Sequence, residues 1–184
     1  KMNIKNETKK EIIMKTKAEI IELLRTDVQA FNAYRQDLFD EGIIGLDLSN
    51  TDLRNADLYN ADLRNANLSH ADLSGVNLRG ANLSHAKLIL SYLNNADLRY
   101  ANLIGTNLSK ANLYCTNLSY ANLSYANLYY ANLSFANLSF ANLENADLTF
   151  TGLRNANLYY ANLSDMNLDK KQNKKVLCIQ MDAL

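Results

Sequence analysis

A chain of 184 residues, 48% of them hydrophobic, is long enough for one compact domain with a sizeable core and too apolar to stay disordered. The 19 basic and 19 acidic residues cancel, which excludes a general field that would draw in nucleic acid, an anionic membrane or an acidic substrate. Cys115 and Cys178 stand 63 residues apart and no long apolar run or signal-peptide pattern occurs, so the expected setting is a reducing cytoplasm without membrane contact.

Residues 1–45 read as two helices. Ile13, Ile20, Ile21 and Leu24 follow helical spacing, and Thr26 with Gln29 makes a capping-box pattern for a second helix bearing Val28, Phe31, Tyr34 and Leu38. Their apolar stripe needs a surface to lie on, and the next segment supplies one.

From Leu48 to Leu168 every fifth residue is leucine, 25 in all, and two places earlier 17 of the 25 positions are alanine. An α-helix would spread a five-residue period around its whole circumference, and a continuous strand would send successive leucines to opposite faces. What remains is a short extended piece that points alanine and leucine inward, then a corner, then the next piece. Repeated corners make a solenoid whose stacked coils bury a column of leucine and pair each other's backbone groups. The residue before leucine is Asp or Asn except at Lys87, Tyr92 and Gly152, a choice that suits side-chain bonding to backbone at corners.

Repeats such as ADLRN, ANLSH, ANLSY and ANLSF resemble those of the pentapeptide repeat protein family, and the resemblance covers residues 46–170. It implies an all-β solenoid, a right-handed quadrilateral β-helix with four repeats per coil. At about 20 residues per coil and about 4.8 Å per coil, this gives roughly six coils and a rod about 30 Å long. Equivalent positions then stack at 20-residue intervals, which sets Asp52 over Asp72 as the one pair of aspartates at the residue before leucine. The open ends of such a rod must be covered, and residues 1–45 are read as its N-terminal α-helical cap. The stretch FNAYR, Phe31 to Arg35, resembles the Trp-Asn-x-Trp-Arg stretch often seen before these repeats, with Phe31 and Tyr34 in place of the tryptophans. Residues 171–184, ending VLCIQMDAL, fit a C-terminal cap or a dimer contact equally.

Chemistry is hard to find. Ser, Asp, Asn and Arg recur at outward positions that solubility and corner bonding already explain. His70 and His85 are 15 residues apart without a cluster of metal-ligand spacing, Cys115 has no paired base, and the six glycines form no phosphate loop. No catalytic residue, cofactor or metal is expected. The reading is a non-catalytic, rigid interaction or scaffold module. The resemblance supplies the alternative, because some relatives inhibit DNA gyrase by presenting a rod-shaped acidic mimic of duplex DNA. Here the repeats carry ten acidic and eight basic residues, a poor imitation of a phosphate backbone, and hold leucine where those relatives often place phenylalanine. Direct nucleic-acid binding lacks a basic groove.

One outward set stands apart. Two places after leucine, the positions from Asn50 to Asn95 contain no aromatic, whereas Tyr120, Tyr125, Tyr130, Phe135 and Phe140 are consecutive. Stacking at 20-residue intervals makes a ladder of Tyr100, Tyr120, Phe140 and Tyr160 and sets Phe150 beside Tyr130. These eight residues are the candidate interaction surface, extended by Ile89, Leu90 and Ile104. The rings either brace the solenoid or form a contact for a protein partner or a second subunit through the C-terminal half.

Overall fold

The computed structural model describes residues 13–169. Two helices, α1 (Lys17–Thr26) and α2 (Val28–Asp40), precede the repeats. Strand β1 (Leu46–Asp47) then pairs in parallel with β2 (Ala66–Asn67), and single-residue parallel bridges continue the same 20-residue offset from Asp52↔Asp72 to Asp147↔Asn167. Twenty residues per turn with four corners is the right-handed quadrilateral β-helix that the repeats imply.

The corners explain the repeat. Each leucine carbonyl accepts a bond from the N–H three residues on, at 2.9 to 3.3 Å from Ala56 to Ala161, which closes a four-residue turn. The third residue of each turn, two after leucine, has φ between +53° and +69°. That combination is the signature of a type II turn. From Asp47 to Asn162, each Asp or Asn before a leucine accepts, through Oδ1, the N–H two residues on. The short polar side chain thus holds the chain entering the corner.

Inside, the leucines from Leu48 to Leu158 and most of the alanines form one continuous buried core. Leu163 and Leu168 depart from the expectation that all 25 are interior: both are half-buried, because no coil lies over them among the described residues. Five inward positions carry a hydroxyl instead of alanine. Each donates to a leucine carbonyl: Thr51 to Leu48, Ser91 to Leu88, Thr106 to Leu83, Thr116 to Leu93 and Thr151 to Leu128, at 2.7 to 2.8 Å. A buried hydroxyl with a partner is tolerated, which is why Ser and Thr substitute here.

The helices close the lower end of the rod with side chains. Lys17 Nζ bonds Ser49 O at 2.6 Å, and Arg25 Nη2 bonds Asp52 O. Asn32 donates to Asn60 O at 2.9 Å and accepts from Asp62 N–H at 2.7 Å, and buried Arg35 reaches Arg64 O at 2.8 Å. The open edge of the first coil is therefore stopped. Phe31, Tyr34 and Leu38 are buried as expected and Val28 is half-buried, whereas Ile13 lies before α1 and is exposed. The capping box belongs to Thr16 and Glu19 at the start of α1. Thr26 does not cap α2, because Asp27 takes that place and accepts from Ala30 N–H at 2.9 Å. Residues 171–184, read as a cap or dimer contact, lie outside the described residues.

The stacked aspartates are reconciled by an arginine. Arg54 pairs with Asp52 at 2.7 Å and with Asp72 at 3.7 Å. The Asp-Leu-Arg order recurs in Asp62–Arg64 and Asp97–Arg99, both at 2.6 Å. Bonds from Arg54 hold the Asp52 carboxyl well below its ordinary value, and those from Arg99 do the same for Asp97. Burial works to raise Asp62, but bonds from Arg64 outweigh it and the carboxyl is again depressed. A depressed carboxyl contributes stability above its unfolded pKa, about 3.9, and loses it as pH falls through the folded value. The melting temperature is expected to decline below about pH 4, and Asp62→Asn with Asp97→Asn should flatten that decline. An unchanged slope in the double variant would remove these pairs as its cause.

Candidate functional site

The left-handed corner sorts the residues that can occupy it. Asn and Gly adopt φ near +60° readily, while a bulky side chain there costs on the order of 1 kcal/mol or more. In the lower coils the position holds Asn50, Asn55, Asn60, Asn65, His70, Gly75, Gly80 and His85, residues suited to it. In the upper coils it holds all eight candidate aromatics, with φ from +54° to +61°. Ring stacking returns about 0.5 to 1.5 kcal/mol per pair. Stacking and strain are thus of similar size, and the rings add little net stability over asparagine.

The four corners stack into four edges along the rod, and the structure divides the eight rings among them. One edge carries Tyr100, Tyr120, Phe140 and Tyr160, with successive centroids 5.0, 4.8 and 5.3 Å apart and planes within 22° of parallel. Another carries Tyr130 and Phe150, stacked at 4.9 Å. Phe135 sits on a third edge and Tyr125 on the fourth. All eight are exposed. Leu90 is exposed two coils below Tyr130 with Lys110 between them, and Ile89 and Ile104 are half-buried, so these three do not extend the ladder.

Three further rings complete the surface. Tyr159 packs edge-on against Phe140 at 6.0 Å and Tyr160 at 4.2 Å; Tyr129 does so against Tyr130 and Phe150; Tyr114 meets Phe135 at 5.5 Å. Each stands directly after a leucine, where serine is the commonest single residue, and the doublets Tyr129-Tyr130 and Tyr159-Tyr160 are the signal that would have revealed them.

The band that carries most of these rings is uncharged. Residues 111–143 contain no Asp, Glu, Lys, Arg or His, and apart from Cys115 their outward positions hold only Asn, Ser, Tyr and Phe. Tyrosine and phenylalanine offer rigid contact area, while Asn and Ser offer adaptable hydrogen bonding, a mixture that antibody binding loops also use. Asparagine side chains also link coils here, with Asn142 donating to Asn122 at 3.3 Å and Asn162 to Asn142 at 2.9 Å.

Elsewhere the described residues offer little chemistry. A hollow of about 670 Å³ beside the helix turn is lined by Arg25, Asp27, Asn32, Asp57 and Tyr59. Arg25, Asp27 and Asn32 are already engaged in capping the coil and α2. Among the described residues, no three His, Cys, Asp or Glu side chains come together to hold a metal, and no helix is long and apolar enough to cross a membrane.

Known proteins share this repeat. No curated protein matches the sequence. Among solved structures, HetL from the cyanobacterium Nostoc sp. strain PCC 7120, a pentapeptide repeat protein involved in heterocyst differentiation regulation, is 35% identical. That likeness covers 65% of this chain and 67% of HetL, with a TM-score of 0.45. Rfr23, a pentapeptide repeat protein from Cyanothece 51142, is 28% identical over 77% of this chain and 95% of its own, with a TM-score of 0.43. QnrB1, a plasmid-mediated fluoroquinolone resistance protein, is 20% identical over 72% of this chain and 88% of its own, with a TM-score of 0.31. The family profile for pentapeptide repeats (8 copies) matches residues 44–80, 77–113, 111–149 and 136–170. These matches span the whole four-sided coil and about two thirds of the sequence, and the chain belongs to the pentapeptide repeat family.

Proposed function

We propose that this chain is a non-catalytic, rigid interaction module that presents its uncharged aromatic band to a protein partner. The observation that carries the reading is the placing of exposed aromatic rings at left-handed corners, where asparagine serves the fold as well. Rings that add little to the rod itself are retained for what they contact. The acidic-mimic reading is not favoured, because Asp62 and Asp97 are each paired with an arginine of their own and Asp52 and Asp72 share Arg54, instead of forming a bare acidic row.

The test is affinity capture with the intact chain and with a variant carrying Tyr120→Asn, Phe140→Asn and Tyr160→Asn. A bound protein should survive about 0.5 M salt, since screening acts on charges that the band lacks, and should be lost with the variant. An identical captured set from both forms would overturn the reading. In a supercoiling assay the chain is expected to leave DNA gyrase uninhibited; inhibition at low micromolar protein would restore the DNA-mimic alternative.

A further inference from the structure

We infer that the ladder edge is a contact between two copies of this chain, lying side by side and antiparallel. The inference rests on the interaction reading above and names its occupant.

The rings themselves limit what can bind. In the row from Tyr100 to Tyr160 neighbouring rings cover each other's faces, and the lower face of Tyr100 is covered by the Arg79 guanidinium at 5.5 Å, so among the described residues only the outer face of Tyr160 has no ring stacked over it. A base or a sugar needs an open ring face on which to stack. What the ladder presents is ring rims, recurring at 4.8 to 5.3 Å. That interval is the spacing of neighbouring strands in a β-sheet, so a partner with matching periodicity is another stack of coils. Tyr159 already shows the edge-on mode by which further rings meet this row.

Symmetry, charge and area agree. A two-fold axis midway between Tyr120 and Phe140 sets Tyr100 of one copy against Tyr160 of the other, matches every ring, and closes as a dimer instead of a fibre. Asn117, Asn137 and Asn157 flank the row on one side and Asn102, Asn122, Asn142 and Asn162 on the other; the charged pair Asp97–Arg99 beside Tyr100 would face Asn157 and Tyr159 of a second copy, so no like charges meet. Five rings, each about half-exposed, offer on the order of 500 Å² per copy. That is most of the roughly 800 Å² a standard interface takes from each partner.

Sedimentation equilibrium of the full chain tests this. The parent is expected to show twice the 20.7 kDa chain mass at tens of micromolar, unchanged in about 0.5 M salt. Tyr120→Asn with Phe140→Asn should return it to the chain mass, while Tyr125→Asn, on another edge, should leave the dimer intact. Asparagine occupies this corner position in the lower coils, so the variants are compatible with the fold. A parent that stays at the single-chain mass, or a dimer that persists in the double variant, overturns the second copy as occupant. The melting temperature separates this failure from that of the broader reading. If the double variant melts within a few degrees of the parent, the rings are still free for another protein; if it melts much lower without a change in mass, the ladder is an internal brace and both readings fall.

Discussion

Replacing Leu108 by alanine is expected to cost about 2 to 5 kcal/mol. Leu108 is fully buried near the middle of the rod, in a column with Leu88 one coil below and Leu128 one coil above. Its neighbours cannot collapse into the vacated space, because Leu88 and Leu128 are each fixed by their own turn bond and by an N–H bond to the coil above, while the residue before each bonds the coil below. The cavity therefore persists, and its cost adds to the lost transfer energy. In a chain of this size the melting temperature should fall by roughly 5 to 20 °C. Leu163→Ala, in the half-buried terminal coil, should cost well under half as much. Equal melting curves for parent and Leu108→Ala would contradict a close-packed column, and equal losses at Leu108 and Leu163 would contradict the end effect.

The unbroken leucine period made this column legible, because five is a period that neither helix nor strand can bury. The Asx positions were legible for a similar reason: a short polar acceptor before leucine has an obvious donor at the corner. The conformation of the corner itself was less visible. Asn50 to Asn65 suggest a left-handed residue, but Tyr120 to Phe140 at the same place suggest the opposite, and tertiary pairing on both sides overrides that local preference. The strain at the rings, on which the functional reading turns, appears only in the coordinates. Tyr114, Tyr129 and Tyr159 do not stand out in the sequence because the position after leucine is variable, with serine commonest, and their edge-on packing depends on ring geometry that no periodicity encodes. At the N-terminus the apolar stripe located the helices, but Thr26 and Asp27 are adjacent and both of types that favour the N-cap, so propensity alone does not choose between them.

The cap yields the second large effect. Arg35→Ala is expected to cost on the order of 3 kcal/mol, from lost charge-assisted bonds and from the space the side chain leaves. The guanidinium is fully buried, bonds Ile44 O at 3.2 Å and Arg64 O at 2.8 Å, and lies 4.5 Å from the centre of the Phe39 ring. Arg64 covers Phe39 as well, at 4.4 Å, so the ring is held between two guanidinium groups. Burial pushes the Arg35 pKa down, opposed by the charge of Asp62. Nε and Nη1 have no hydrogen-bond partner, so the bonds that Nη2 makes are partly offset by desolvation of the rest. Packing on Phe39 and closure of the coil edge should then outweigh the charge itself. Arg35→Met, which keeps the bulk and removes the unsatisfied donors, is expected to lose less than half of what Arg35→Ala loses in thermal melts. Arg35→Ala should also leave the Arg64 carbonyl open on the edge of the first coil, and end-to-end association should rise with protein concentration. A methionine variant as unstable as the alanine one would assign the stability to the charged bonds, and an alanine variant that melts with the parent would show that the rod does not depend on its cap.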